Sequence, residues 1–551
     1  MFNPVKTASR HWYLLTALLM FIAFPSYDVA VLKYSFFMAW IFLVPLMIYI
    51  QGRELKDVMS AAFVTGLLGN YLTYGWIGNF GAKEPGGYFV IVFFLIPSLS
   101  AFFTIKFIAA EFLSRKFRKL RVFIFPSVWI IVDYIQSIGF LAFPWPYIGY
   151  SQYMFRPFIQ LASVTGILGI NFVMVMFNIC AADFIASARE RGSVRSALRS
   201  VNGLSLVVVI VFVLAATAAG AYRLFYYNQD AKGAGLKIST VQTGISPWDN
   251  WERKKFFYLD ELKQHTDGAL EDNPDLIIWS ESATLEFISF RALVNDHDLF
   301  DAKLTEYVRT AGKPLLTGEI GLIPVQEGRR IRYYPQNNAV LINAEGQVVR
   351  TYPKINLVPF GEWFPYEKWL PFVKQIASHF GGSDFVPGNT PDLFKVNGYD
   401  FGALICYEGI FFRLCREYRQ MGAHFLVNIT NDGWTDSYGG HYQHFSASVF
   451  RAVENGLWVV RAGNDGVSAV IDPQGRITAT MPYLTKGHMT GVVYPERNVK
   501  TFYSVAGDVI LYAALFFIFL LLDHAGYEYL KKRMHLAKTR RRKVYIDKKH
   551  T

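Results

Sequence analysis

Long apolar segments constrain this chain more than any other feature of its sequence. Most of them are long enough to cross the roughly 30 Å hydrocarbon core of a bilayer. Eight such segments are marked, at about 11–25, 29–50, 58–79, 87–113, 121–141, 158–186, 203–224 and 505–522. The mean hydropathy of +0.22 and the aromatic content of 17% are also high for a soluble protein. The sequence therefore predicts a polytopic α-helical membrane domain with about eight spans.

Basic residues alternate along the loops between these segments, and the alternation predicts the orientation of the chain. Cytoplasmic loops of membrane proteins carry an excess of Lys and Arg. The basic loops precede the first segment and follow the second, fourth, sixth and eighth, at Lys6, Arg10, Arg53, Lys56, 115–121, 189–199 and 531–543. We therefore expect both termini in the cytoplasm and residues 225–504 outside it. Because the residues behind the net charge of +12 cluster beside apolar segments and in the tail, we expect no nucleic-acid partner.

The stretch from 225 to 504 has a different pattern, in which short strands alternate with helical segments. The predicted strands include 236–242, 314–318 and 425–428, and the predicted helices are 251–268, 298–311, 409–421 and 441–456. This alternation is typical of an α/β domain. The predicted domains are a membrane domain at 1–224 with about seven helices, the α/β domain at 225–504, a transmembrane helix at 505–522 and a basic tail at 523–551.

Cys406 ends an apolar run at 401–405 and is followed, after Gly409, by helical spacing. A strand that turns sharply into a helix holds one side chain at its tip, which is how a nucleophile is presented to a substrate. A buried core cysteine is the alternative when Cys406 is taken alone. The other cysteines are Cys180 and Cys415, and this small set predicts no disulfide framework.

Two further apolar strands end in a charged residue. Glu281 follows the run at 276–279, and a position at the rim of a buried sheet suits a carboxylate for general-base work. Lys354 follows Pro353, and Glu362 comes eight residues later. Taken singly, Glu281 is a solvent-exposed strand end and Lys354 a surface lysine. Glu, Lys and Cys in that order, each at the end of a strand, instead predict one catalytic site.

The order Glu281, Lys354, Cys406 resembles that of the nitrilase, or carbon–nitrogen hydrolase, superfamily. Its membrane-bound branch, the apolipoprotein N-acyltransferases, gives the closer resemblance. The segments that carry it are 357–362, 406–408, 431–434 and, in the membrane part, 143–152. The resemblance implies a nitrilase-like αββα sandwich of two stacked sheets for the α/β domain. It also implies a periplasmic site at the bacterial inner membrane.

Roles for the three central residues follow from their chemistry. Only a few per cent of a free cysteine is thiolate at neutral pH, so Cys406 needs a base, and Glu281 is the candidate. A fixed ammonium stabilises the negative oxygen that develops on an attacked carbonyl, and Lys354 fits that role. The backbone N–H of Tyr407 is a candidate second donor. A carboxylate at Glu362 would keep Lys354 charged and oriented.

Three further residues match positions in the resembling proteins. Glu408 matches a supporting acid, with capping of the following helix as its alternative. Trp251 matches a tryptophan that recognises the acyl chain, with core packing as its alternative. Trp434 belongs to a loop that lies beside the site in those proteins, and is the second candidate for substrate binding.

The implied reaction is the last step of bacterial lipoprotein maturation. Cys406 would take an acyl chain from a phospholipid, with phosphatidylethanolamine as the expected donor, and hold it as a thioester. The N-terminal amine of a diacylated apolipoprotein would then accept the chain, in a ping-pong scheme. We expect no cofactor and a monomer in the membrane bilayer.

Two other functions are alternatives to this one, and the sequence favours neither. A membrane-tethered amidase would use the same three residues, but a small-molecule hydrolase needs one anchor at most. A transporter would need charges near the membrane midplane, and Lys33, Lys106 and Asp133 lie near the ends of segments or alone. A metal pair at His441 and His444 lacks a third ligand at suitable spacing, so no metal site is predicted.

Overall fold

The computed structural model describes most of the chain. The described residues are 11–26, 28–29, 34–81, 87–139, 142–226, 235–296, 298–363, 384–434 and 437–547. Lys6, Arg10 and Lys33, used above as charges flanking or within the predicted spans, lie outside these residues.

The first part of the described chain, as far as Tyr226, is helical. Its α-helices are α1 (Leu15–Ala23), α2 (Val44–Tyr49), α3 (Leu55–Tyr74), α4 (Gly87–Lys116), α5 (Arg121–Gln136), α6 (Arg156–Ile159), α7 (Ala162–Arg191), α8 (Val194–Leu198) and α9 (Val201–Tyr226). Short 3-10 helices at Ser35–Trp40, Gly75–Gly81 and Ile148–Gln152 join some of them. Each apolar segment before residue 225 therefore contains helix.

Four described helices are long and apolar enough to cross a membrane, judged by length and composition. They are Val92–Lys116, Ala162–Arg191, Val201–Tyr226 and Val509–Lys538. The other predicted segments hold shorter or less apolar helices, such as α5, or two short pieces, such as Ser35–Trp40 followed by α2. The chain thus has a membrane character, and the number of eight spans stays a prediction.

The second part of the chain is an α/β domain. Its strands are β1 (Leu236–Gln242), β2 (Leu276–Ile278), β3 (Leu315–Glu327), β4 (Arg330–Ile342), β5 (Val348–Pro353), β6 (Leu393–Val396), β7 (Tyr399–Ile405), β8 (Phe425–Thr430), β9 (Trp458–Gly463), β10 (Ser468–Ile471), β11 (Ile477–Met481) and β12 (Gly487–Val493). Its helices are α10 (Trp251–Leu270), α11 (Ile288–Val294), α12 (Leu299–Ala311), α13 (Phe412–Met421), α14 (Tyr438–Asn455) and α15 (Phe502–Ala506). The last helix, α16 (Val509–Asp547), continues the predicted 505–522 span into the basic tail.

The strands form two six-stranded sheets with the same internal plan. The strand orders are β12-β1-β2-β3-β4-β5 and β6-β7-β8-β9-β10-β11. Read in these directions, each sheet has one antiparallel pair, two parallel pairs and two antiparallel pairs. Parallel strands place their carboxyl ends at the same end of their sheet. The residues that follow β2 in the first sheet and β7 and β8 in the second can therefore come together at that end of the domain.

Alternating side chains divide the domain into layers. Ile238, Ile278 and Leu316 share one core with Leu404 and Val459 of the second sheet. The opposite face of the first sheet packs against helices: Ile277 and Val340 share a second core with Leu262 of α10 and Leu304 of α12. Residues that alternate along a strand point to opposite faces. The αββα sandwich implied by the resemblance is therefore confirmed.

The hairpin of β3 and β4 was not predicted. Only 314–318 reads as a strand, yet β3 continues to Glu327 and pairs with β4 from Leu315↔Ile342 to Glu327↔Arg330. Pro324 and several polar residues hide the alternation in its outer half. The turn uses Gly328 at a φ of +62°, a conformation that suits glycine.

Two charges within the membrane part are paired, which corrects the reading of Lys106 and Asp133 as isolated. The Lys106 ammonium lies 2.5 Å from the buried Asp133 carboxylate, which also accepts from Asn171 at 2.7 Å. The Asn171 side chain accepts the Gly149 N–H at 2.8 Å, and the Tyr147 hydroxyl donates to the Asp133 carbonyl at 2.8 Å. The pair therefore holds the segment around 147–149 in place.

Candidate active site

A cavity of about 290 Å³ lies where the membrane part meets the α/β domain. The α/β domain contributes Glu281, Lys354 and Cys406 to its wall. The membrane part contributes an apolar wall of Trp76, Ile77, Phe143 and Trp145. The cavity therefore combines the three predicted catalytic side chains with a surface suited to a hydrocarbon chain.

Cys406 stands at the predicted strand-to-helix turn. It follows the last residue of β7 and begins a 3-10 helix, Cys406–Ile410, that leads into α13. Its φ of +50° is in the left-handed region, which a residue with a side chain rarely adopts. Such backbone strain persists when the surroundings enforce it, and it concentrates at functional sites.

The thiol of Cys406 is held in its neutral form. Burial raises its pKa well above the ordinary value, the charge of Glu281 raises it further, and Lys354 acts in the opposite direction. A thiol in this state needs a base at the moment it attacks. The other two cysteines, Cys180 and Cys415, are buried and unbridged, and neither is among the residues that line the cavity.

Glu281 is buried and accepts three hydrogen bonds, so the predicted strand-end position is not solvent-exposed. One oxygen accepts from the Asn337 amide at 2.9 Å and from the Lys354 ammonium at 3.3 Å. The other accepts the backbone N–H of Asn431 at 2.9 Å. Residues 281 and 431 follow equivalent strands, β2 and β8, of the two sheets. The second sheet thus fixes the carboxylate that extends from the first.

Lys354 is 1% exposed, so it is not a surface lysine. Its Nζ lies 2.8 Å from Glu362 and 3.3 Å from Glu281. Burial alone would lower the pKa of Lys354, but the carboxylates of Glu362 and Glu281 raise it above its ordinary value. The side chain is therefore a buried cation close to Cys406.

Glu362 orients this cation. One of its oxygens accepts from Lys354 and, at 2.7 Å, from the Asn337 amide, while the other accepts the Val358 N–H at 2.8 Å. A single Asn337 amide group therefore bridges Glu281 and Glu362. Asn337 was missed by the sequence analysis, since a polar residue inside β4 gives no local signal of function.

Glu408 accepts four hydrogen bonds and connects the loop after Lys354 to the turn at Cys406. One oxygen accepts from the Tyr352 hydroxyl at 2.9 Å and from the N–H groups of Ile355 and Asn356 at 2.7 and 3.1 Å. The other accepts the Ile405 N–H at 2.9 Å. Burial raises the pKa of Glu408 to about 7, against the effect of these backbone donors. This role goes beyond the helix capping considered from the sequence.

Tyr407 connects the turn at Cys406 to the membrane part. Its hydroxyl donates to the Ala142 carbonyl at 2.7 Å, and its ring stacks on Phe143 at 6.3 Å between centroids. Its backbone N–H directly follows Cys406, at the position predicted from the sequence for an oxyanion donor.

The two tryptophans line the same cavity but differ in environment. Trp251 is buried in the core, stacks on Tyr258 and donates its indole N–H to Glu286 at 2.9 Å. Trp251 therefore packs in the core, as the second alternative predicts, and it also lines the cavity; its recognition of an acyl chain stays a prediction. Trp434 is half-buried and makes an edge contact with Trp248 at 5.2 Å.

The sequence suggested only a metal-binding role for His444, and the environment of this side chain does not favour a bound metal ion. The ligand atoms of Cys406, Asp432 and His444 lie within 4.8 Å of one another. However, the Arg461 guanidinium donates to Asp432 at 2.5 Å, and a fixed cation there opposes the binding of another. Burial alone would raise the pKa of Asp432, but Arg461 and His444 hold the pKa of that carboxyl well below its usual range.

Comparisons with known families match both parts of the chain. Residues 16–180 match the apolipoprotein N-acyltransferase N-terminal domain, and residues 237–506 match carbon-nitrogen hydrolase. The two matches meet at the cavity, since the first contains the Trp76–Trp145 wall and the second contains the residues from Glu281 to Cys406.

Curated relatives resemble the chain over most of its length. An apolipoprotein N-acyltransferase from Geobacter metallireducens is 28% identical over 521 residues, which cover 93% of this chain and 94% of that protein. One from Rickettsia bellii is 30% identical over 430 residues, covering 78% and 80%. Among solved structures, an amidase from Nesterenkonia sp. covers 50% of this chain and 95% of its own, at 20% identity and a TM-score of 0.36.

Proposed function

The chain belongs to the apolipoprotein N-acyltransferase family, and on that premise we propose that it transfers a fatty acyl chain from a phospholipid to the N-terminal amine of a diacylated apolipoprotein. The proposed donor is phosphatidylethanolamine. The observation that carries the proposal is a cavity in which the buried Glu281 and Lys354 and the half-buried Cys406 face apolar side chains of the membrane part.

In the proposed first half-reaction, the sulfur of Cys406 attacks the ester carbonyl carbon of the phospholipid while Glu281 takes the thiol proton. The Lys354 ammonium and the Tyr407 N–H stabilise the negative oxygen of the tetrahedral intermediate. The ester C–O bond then breaks, and Glu281 returns the proton to the leaving lysophospholipid oxygen. The products are a Cys406 thioester and a lysophospholipid, without any cofactor.

In the second half-reaction, the free α-amine of the diacylglyceryl-cysteine attacks the thioester carbonyl. Glu281 takes the amine proton, the same two donors stabilise the oxyanion, and the C–S bond breaks. The proton returns to the sulfur of Cys406. Glu362 and Glu408 support both steps by holding Lys354 and the nucleophile turn, while Trp251 and Trp434 contribute walls for the substrates.

The proposal is tested by following the acyl-enzyme. Incubated with phosphatidylethanolamine and no acceptor, the protein should gain the mass of one acyl chain, because a lipid-facing site that excludes water slows hydrolysis of the thioester. Neutral hydroxylamine should remove that mass, since it cleaves thioesters readily. Intact-mass spectrometry follows both changes.

The acceptor provides the matched control. A diacylated lipopeptide with a free N-terminal cysteine should discharge the acyl chain onto its amine, and the same peptide with an acetylated amine should not. If no acyl mass accumulates and small amides are hydrolysed without lipid, the chain is a tethered amidase and the proposed transfer is wrong.

We propose further that the protein lies in the bacterial inner membrane as a monomer, with the α/β domain in the periplasm and both termini in the cytoplasm. The alternation of basic loops supports this orientation. It predicts that Glu345→Cys reacts with a membrane-impermeant thiol reagent in spheroplasts and that Lys538→Cys reacts only after permeabilisation. Both positions are exposed, and Cys180, Cys406 and Cys415 are replaced by alanine in the background. Labelling of position 538 alone would contradict the orientation.

A further inference from the structure

The peptide group that joins Cys406 to Tyr407 is held from one side by a buried histidine. The Cys406 carbonyl oxygen lies 3.0 Å from His444 Nε2 and 3.5 Å from the Asn428 side-chain amide. A carbonyl oxygen can only accept a hydrogen bond, so Nε2 is a protonated donor in this contact. The contact falls on the same residue whose φ of +50° marks a strained turn.

Peptide geometry converts this contact into an orientation of the next N–H. The described peptide bonds are all trans, and in a planar trans peptide the C=O and the following N–H point in opposite directions. Fixing the Cys406 carbonyl on His444 therefore fixes the Tyr407 N–H on the side away from His444. Rotation of this peptide would instead turn a carbonyl oxygen toward a developing oxyanion.

We propose that His444 is a positioning residue for the oxyanion donor: it locks the Cys406–Tyr407 peptide so that the Tyr407 N–H stays available to the tetrahedral intermediate. This inference rests on the proposed function, because it assigns a role within the same acyl transfer. His444 also lines the cavity, but in this proposal it acts on the reaction through the peptide that it holds.

The imidazole is itself fixed from several directions. Its Nδ1 lies 2.8 Å from Asp432, which is held by Arg461 at 2.5 Å. On the membrane side, the Trp145 ring lies against the imidazole, with 5.2 Å between centroids. The indole N–H groups of Trp145 and Trp76 donate to the neighbouring Gln443 at 3.2 and 3.3 Å. The membrane part thus contributes to the rigidity of the oxyanion donor.

Two reactions of the same thiol separate this role from a general loss of structure. Acylation by a phospholipid passes through an oxyanion, whereas alkylation by iodoacetamide displaces iodide from a saturated carbon and does not. Replacing His444 should therefore slow the acylation of Cys406 while leaving its alkylation nearly unchanged. A collapse of the site would change both.

The experiment compares His444→Ala, His444→Gln and His441→Gln in the full-length protein with phosphatidylethanolamine. His441 is a matched control, because it is buried on the same helix, α14, and lies 3.7 Å from Asp432, but has no hydrogen bond to Cys406. We expect His444→Ala to lose about 10²-fold in acylation rate, as for removal of one oxyanion donor. Glutamine at 444 keeps an N–H donor near the Nε2 position and should recover at least about tenfold of that loss. His441→Gln should stay within about threefold of the unmodified protein.

The acylation and alkylation rates of the variants decide whether His444 positions the Tyr407 N–H. Acylation by His444→Ala within about threefold of the unmodified protein would overturn the proposal, as would an equal loss in acylation and alkylation. The proposal is also wrong if His444→Gln is acylated no faster than His444→Ala while thermal unfolding curves show that both variants are folded. If the unmodified protein itself gains no acyl mass, the proposed function fails rather than the role of His444.

Discussion

Replacing Cys406 with alanine is expected to abolish acyl transfer while leaving the folded protein intact. The proposed mechanism has no other nucleophile to carry the acyl chain, and removing the nucleophile of a comparable hydrolytic triad costs on the order of 10⁶-fold in rate. The loss of one sulfur atom at a half-buried position should change the free energy of unfolding by no more than about 1 kcal/mol. Intact-mass measurement with phospholipid and a thermal unfolding curve check the two parts of this prediction.

The chain supplies matched controls in its other two cysteines. Cys180→Ala and Cys415→Ala remove equally small buried groups, and both variants should still accept and transfer an acyl chain. Cys406→Ser should gain at most an ester that resists hydroxylamine, because a serine hydroxyl is a far weaker nucleophile at neutral pH. Normal turnover by Cys406→Ala would disprove the assignment of the nucleophile.

The sequence was most informative where the local pattern and the tertiary environment demand the same residues. Strand β1 was predicted with its observed bounds, 236–242, because its apolar residues face a buried layer on both sides. The turn at Cys406 was predicted for the same reason, since the apolar run of β7 ends abruptly at a small polar group. Glu281 and Lys354 were found through the same pattern of a buried strand followed by a charge.

Features that depend on long-range pairing could not be predicted in this way. Asn337 bridges two carboxylates from the middle of β4, and its neighbours in sequence give no sign of that partnership. The sequence does not show the pairing of Lys106 with Asp133, because the pair forms only when α4 packs against α5. The three-residue spacing of His441 and His444 suggests only metal ligation, whereas the contact of His444 Nε2 with the Cys406 carbonyl arises from the packing of α14 on the turn at Cys406.

The cluster around Lys354 makes a more demanding prediction, because the same side chain supports both stability and rate. Lys354→Met would leave the buried carboxylate of Glu281 and the partly buried carboxylate of Glu362 facing the same Asn337 amide with no cation between them. Removing one partner of a buried ion pair typically costs about 3–5 kcal/mol. We therefore expect a clear fall in the free energy of unfolding, measured by denaturant titration.

The acylation rate of Lys354→Met should fall for a separate reason, because Lys354 is the proposed positive charge that stabilises the oxyanion. Loss of such a group costs about 10²–10³-fold in the chemical step. Alkylation of Cys406 by iodoacetamide should also slow, because Lys354 counteracts the rise in the pKa of the thiol that burial and Glu281 produce. This second effect distinguishes Lys354→Met from His444→Ala, in which alkylation should be nearly unchanged.

A double variant, Lys354→Met with Glu362→Gln, separates the two effects of Lys354. Neutralising Glu362 removes one of the two uncompensated charges, so the double variant should regain part of the lost stability. It should not regain acylation, since no cation is restored beside the carbonyl oxygen. If the double variant recovers both stability and acylation rate, or if Lys354→Met loses less than about tenfold in correctly folded protein, then Lys354 is a structural counter-ion, and the oxyanion must be stabilised by backbone donors alone.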